Sequence, residues 1–181
     1  SSKQSTLGTE VFVLEVGNIT SIYKTVDGLM QRAFNAFFIQ EHTCSPDKLA
    51  ELFEKFSANK VKAHLGPLDP QAKNPLAGVG AIHRGKNVVK HLAPKSNAFR
   101  KAVKSGRCDL YALDHGGPLT VLCFVIYGYT GGHDSGKAAK RTDSIIRCCM
   151  QERKLHPRGP CLISGDVNAE PQDITTRREL L

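Results

Sequence analysis

The stretch Leu119-Thr-Val-Leu-Cys-Phe-Val-Ile-Tyr127 is apolar at almost every position. An extended chain turns successive side chains to opposite faces, so a strand without polar alternation must be covered on both of them. Such a strand lies inside a layered structure. The run is far short of the ~20 apolar residues a membrane-spanning helix requires, and the 181 residues contain no longer one.

Shorter segments supply the layers. Val11 to Val16 is β-branched and apolar and ends at Gly17-Asn18, which predicts a strand. Val26, Leu29, Met30, Ala33, Phe34 and Phe37 then recur at helical spacing, and Phe37 to Glu41 reads as a second strand. Ser45-Pro46-Asp47 starts a helix, with Ser45 as cap, and Leu49, Leu52, Phe53 and Phe56 form its apolar face. Val61 to Leu65, Gly78 to His83, Asp109 to Asp114 and Cys161 to Gly165 are further strands, and Ala138, Thr142, Ile145, Ile146 and Cys149 mark a last helix. Strands alternating with helices make this an α/β chain.

The net charge of +8 is a regional feature. Between Asp69 and Asp109 no acidic residue occurs, while Lys73, Arg84, Lys86, Lys90, Lys95, Arg100, Lys101, Lys104 and Arg107 are all basic. A polyanion suits such a segment, and the scarcity of aromatic residues within it favours phosphate-backbone contact, with Arg84, Lys86, Arg100, Lys101 and Lys104 as candidates, over base stacking. Cys123 and Cys161 fall in apolar runs and Cys148-Cys149 are neighbours on the last helix, which fits core thiols, and a reducing, intracellular setting accounts for all six cysteines. No Cys-x-x-Cys occurs, so a structural zinc site is not expected. The sequence opens without a starting Met or signal-type segment and ends in Arg-Arg-Glu-Leu-Leu, and we read it as a fragment.

Apolar strands end in carboxylates or carboxamides: Asn18, then Glu41, then Asp166 with Asn168. If those ends share one rim, they form an oxygen-rich site of the kind that holds Mg²⁺ or Mn²⁺ together with a substrate phosphate.

These residues also sit in a succession of motifs. Gly17-Asn-Ile-Thr-Ser21, Phe38-Ile-Gln-Glu-His42, Gly78-Val-Gly-Ala-Ile82, Val125-Ile-Tyr-Gly-Tyr129 and Ser164-Gly-Asp-Val-Asn-Ala169 resemble, in order, motifs of the endonuclease/exonuclease/phosphatase superfamily, in the manner of apurinic or retrotransposon endonucleases. The similarity runs from about Val11 to Pro171. It implies a partial four-layer sandwich, two packed mixed sheets flanked by helices, over residues 11–181 after a flexible segment 1–10. It further implies a divalent-metal phosphodiesterase acting on nucleic acid: Glu41 and Asn18 at the metal, Tyr127 at the scissile phosphate, Asp166 orienting or deprotonating the water, and Asn168 holding the phosphate. The family's last motif, an Asp-His pair after the Gly-Asp-x-Asn motif, has no counterpart here, so the resemblance implies that this piece is inactive or weak without the remainder of its domain or parent polypeptide. Asp114-His115 imitates the pair but precedes Tyr127, and His115 reads as a strand-end residue.

Other readings compete. Gly131-Gly-His-Asp-Ser-Gly136-Lys137-Ala138 is one residue from a phosphate-binding loop of the nucleotide-hydrolase type, but Ala138 removes the hydroxyl that would coordinate Mg²⁺. A polyanion-binding relative without catalysis and a phosphatase of small phosphoesters are the remaining alternatives.

Overall fold

A computed structural model describes residues 11–72, 76–86, 88–130 and 136–176. Lys73, the segment 1–10 and the 131–135 part of the glycine-rich motif lie outside the described residues. Strands β1 (Leu14–Asn18), β2 (Ala36–Gln40), β3 (Val61–Leu65) and β4 (Val79–Arg84) form a first sheet in the order β1-β2-β4-β3. Strands β5 (Val89–His91), β6 (Cys108–Leu113), β7 (Val121–Tyr127) and β8 (Cys161–Asp166) form a second in the order β5-β6-β7-β8. Each sheet is mixed, with β1 and β2 parallel, β7 and β8 parallel, and the other neighbours antiparallel.

Side-chain parity explains why the central strands carry no polar face. On β2, Phe37 and Ile39 turn toward helices α1 (Ile22–Met30) and α2 (Leu49–Ala58) and pack with Val26, Leu52 and Phe56. Ala36 and Phe38 turn the other way, against Tyr111, Cys123 and Val125 of the second sheet. On β7, Phe124 and Ile126 face helices α3 (Asn97–Lys104) and α4 (Gly136–Arg153), where Phe99, Ile145, Ile146 and Cys149 cover them. The order is therefore helices, sheet, sheet, helices, and the expected burial of the Leu119–Tyr127 run on both faces is realised from Cys123 to Tyr127.

Several expectations shift. The first strand begins at Leu14, not Val11. Helix α1 ends at Met30, because Phe34 lies in the connection and Phe37 inside β2; both are buried against the α1 stripe, so tertiary burial produced the longer helical spacing. Ser45 caps nothing through its side chain; Pro46–Lys48 makes a 3₁₀ turn before α2. Strand β5 and helix α3 lie in the basic stretch, where charge hides the pattern: α3 buries Phe99 and is capped by Ser96, whose Oγ accepts from Phe99 N–H at 3.1 Å. All six cysteines are free. Among the described residues no helix is long and apolar enough to cross a membrane.

Candidate active site

Parallel pairing sets the ends of β1 and β2 side by side, Asn18 opposite Gln40, and those of β7 and β8 likewise, Tyr127 opposite Asp166. The sheets pack so that both pairs end on one rim: Asn18 Nδ2 donates to Asp166 Oδ2 across the gap at 3.5 Å. Glu41 follows Gln40 directly and leaves the strand with φ 57°, a left-handed turn that a non-glycine residue adopts at a cost of about 1 kcal/mol or more. That turn brings its carboxylate beside Tyr127.

The loop beyond Glu41 is held by His42. Burial pushes its pKa down to about 4, so the ring is neutral. Nδ1 accepts from Cys44 N–H at 3.1 Å, which leaves Nε2–H to donate to Gly66 O at 3.0 Å.

Tyr127 points between the sheets and is buried. Burial, then the neighbouring Glu41 carboxylate, push its pKa up to about 12, so at neutral pH it is a hydroxyl donor. Asp166 closes a local turn in which Oδ1 accepts from Asn168 N–H at 3.0 Å. Asn168 itself takes φ 50°, which asparagine tolerates, and its Nδ2 donates to Gly128 O at 3.2 Å. Gly128 is required here: a Cβ on it would lie 2.0 Å from Val167 O.

Arg107 is the residue the sequence pattern misplaces. One of the nine cations of the basic segment, it is only 3% exposed. Its guanidinium lies over the rings of Tyr127 at 5.1 Å and Tyr129 at 4.5 Å, donates to Gly128 O at 3.0 Å and pairs with Asp69 at 3.1 Å. It braces the rim from behind. The available signal was its position between Gly106 and an apolar strand, a place where a free surface cation is not expected.

The other basic candidates separate. Arg84 ends β4, which runs antiparallel to β2, so it sits at the pole away from Glu41. There it donates to Met30 O at 2.7 Å and Asn59 O at 3.2 Å, and Lys86 follows in the adjacent turn. Arg100 donates to Asn97 Oδ1 on its own helix. Lys101 and Lys104, by contrast, line a groove with Tyr129 and Arg141, whose guanidinium stacks 3.7 Å from the Tyr129 ring. The groove shares Tyr129 and Asp69 with the Arg107 contacts. His115 lies in the turn after β6, at the end opposite Tyr127, where its Nδ1 accepts from Gly117 N–H at 2.9 Å.

No protein-family model and no curated protein matches the sequence. Solved structures do match in fold. Humanized D. rerio TDP2 superposes with a TM-score of 0.61 at 15% identity, over 92% of this chain and 66% of that one. AP endonuclease LMAP from Leishmania major gives 0.60 at 11% identity, over 93% and 64%. The 3′ phosphatase NExo from Neisseria, bound to product DNA hairpin, gives 0.55 at 14% identity, over 87% and 58%. The chain thus spans less than two thirds of the length of each. At these identities the likeness is one of fold: the two mixed four-stranded sheets with their flanking helices are the architecture this chain shares with all three structures.

Proposed function

We propose that this chain supplies the metal-holding and water-orienting part of a divalent-metal-dependent phosphodiesterase acting on nucleic acid. The observation that carries the reading is the convergence of Asn18, Glu41, Tyr127, Asp166 and Asn168 on one rim from four strand ends in two sheets.

The donors on the rim fit the metal. They are carboxylate, carboxamide and hydroxyl oxygens, the set preferred by Mg²⁺ and Mn²⁺, and among the described residues no lysine or arginine pairs with Glu41 or Asp166. Glu41, with Asn18 beside it, would hold the ion, which when bound neutralises charge developing on phosphate oxygens. Asp166, held by the Asn168 N–H, orients a water and accepts its proton. Tyr127 remains protonated and donates to a phosphate oxygen, and the Arg107 stack fixes its ring. The Asn168 amide, steered by Gly128 O, lies beside the same position. The groove with Lys101, Lys104 and Arg141 favours a polynucleotide over a small phosphoester, because it extends cationic contacts away from the reacting phosphate. The activity of the whole protein belongs to this proposal.

Water-proton relaxation with Mn²⁺ tests the metal step without requiring turnover. Glu41→Gln is expected to weaken Mn²⁺ binding at least about tenfold, and Asp166→Asn to remove Mn²⁺-dependent cleavage of a labelled DNA or RNA oligonucleotide by the intact protein. Unchanged Mn²⁺ affinity removes Glu41 from the site. Cleavage that survives Asp166→Asn overturns the mechanism.

A further inference from the structure

At the edge of the sandwich opposite the β1–β8 side, His64 on β3, His91 on β5 and Asp109 on β6 come together from both sheets. Parity places them there. Ala63 faces the helices, so His64 on the next position turns inward, and His91 pairs in register with the inward-facing Tyr111. One ligand atom from each of the three lies within 4.8 Å of the others.

The spacing of the three groups approaches that of a ligand set. His91 Nε2 is 2.9 Å from Asp109 Oδ1, and His64 Nδ1 is 3.4 Å from Asp109 Oδ2. Bonds of ~2.0–2.1 Å to a tetrahedral ion place its ligand atoms roughly 3.4 Å apart. The Asp109 side chain is 1% exposed and accepts from Leu110 N–H at 2.8 Å and from Tyr111 OH at 3.1 Å. Among the described residues no lysine or arginine pairs with it; its only ionisable partners of basic type are the two imidazoles. A buried carboxylate in that setting gains from a cation. His64 Nδ1 also lies 3.1 Å from the Tyr111 hydroxyl, a contact that coordination would replace. The imidazoles are 39% and 34% exposed, so an ion can enter from solvent and keep a water in its open position.

We propose that His64, His91 and Asp109 bind a divalent transition ion of the zinc type, which ties the two sheets together at this edge. Two imidazole nitrogens with one carboxylate select Zn²⁺ or Co²⁺ over Mg²⁺. Tyr111 is the supporting residue: its hydroxyl stays on Asp109 Oδ2 and orients the carboxylate toward the ion. The rings stack with centroids 3.7 Å apart at 15°, so shared coordination requires one of them to tilt, and the exposed side of both rings leaves room for that movement. The site uses no residue of the Glu41–Asp166 rim and stands or falls separately from the proposed function.

Co²⁺ is the direct probe, because its visible absorption reports low-coordinate nitrogen and oxygen ligation. With excess Mg²⁺ present to occupy the oxygen ligands of the rim, one equivalent is expected to bind and to be displaced by Zn²⁺, and Zn²⁺ is expected to raise the melting temperature. His64→Ala and His91→Ala should each weaken Co²⁺ binding at least about tenfold, while Glu41→Gln leaves it unchanged. Both histidines are partly exposed, and circular dichroism verifies that the variants fold. Co²⁺ affinity that changes less than tenfold in the His64→Ala/His91→Ala double variant, or that falls with Glu41→Gln, overturns the site.

Discussion

Tyr127 and Asp166 are register partners at the ends of the parallel strands β7 and β8. One residue further, the chains stay joined, since Gly128 N–H donates to Asp166 O at 2.6 Å. A phenol and a carboxylate separated by 38 intervening positions are thus held by backbone pairing, and their relative placement does not depend on a flexible loop. The short crossing at Gly128 makes the arrangement sensitive to a single carbon.

Gly128→Ala is expected to destabilise the fold by about 2 kcal/mol, because the added Cβ would meet Val167 O at 2.0 Å and backbone has little room to yield. For a chain of this size that corresponds to a fall in melting temperature of roughly 6 °C. The same strain would pull Asn168 Nδ2 from Gly128 O, so loss of rim function should exceed what partial unfolding explains. Thermal melts read beside Mn²⁺ relaxation separate the two effects. A melting temperature unchanged within a degree would mean that the β7–β8 crossing relaxes freely.

The basic residues should divide by place and not by charge. Charge reversal at Lys101, Lys104 and Arg141, which line the groove, should lower the salt slope of nucleic-acid binding by about 0.9 for each duplex phosphate that is no longer neutralised. Arg84→Ala should leave that slope alone and instead cost roughly 1 to 2 kcal/mol of stability, since Met30 O and Asn59 O lose their donor. Fluorescence anisotropy over a salt series, together with urea unfolding, measures both. A slope that moves with Arg84 and not with the groove reverses the assignment.

Glu152 should give the protein a defined acid sensitivity. Its oxygens accept from Lys95 N–H at 2.6 Å and Ser96 N–H at 2.8 Å, and His156 Nε2 lies 3.2 Å away. Burial alone would raise its pKa, but the hydrogen bonds from Ser96, Lys95 and His156 more than offset that and hold it below the ordinary 4.5. The unfolded chain therefore binds this proton more readily, and the stability Glu152 contributes is complete above that value and lost as pH falls through the lower folded one. Glu152→Gln should cost about 2 kcal/mol at pH 7, with the gap to wild type narrowing below pH 4.5. Urea midpoints taken at both ends of that range check the slope; a gap independent of pH would mean that packing, not charge, is what Gln disturbs.

Strand periodicity and composition by themselves determined the layering of this protein. The unbroken apolar stretch up to Tyr127 demanded cover on both faces, and the helical spacing of Ile145, Ile146 and Cys149 supplied it on one side. The polar endings Asn18, Glu41, Asp166 and Asn168 were equally legible, because a strand that stops being apolar announces where it reaches solvent. Only the tertiary structure decided what shared a rim and what did not. Arg84 and Lys101 belong to one basic stretch in sequence, yet antiparallel pairing of β4 sends the first to the far pole while α3 carries the second to the groove. Arg107 looked like another surface cation until the rings of Tyr127 and Tyr129 closed over it. His64, His91 and Asp109 carried no motif at all, since a cluster drawn from three strands of two sheets exists only when the sheets pack. The physical reason is common to all three: local periodicity records which face of an element is buried, whereas proximity between elements is set by strand order and direction, which sequence spacing does not encode.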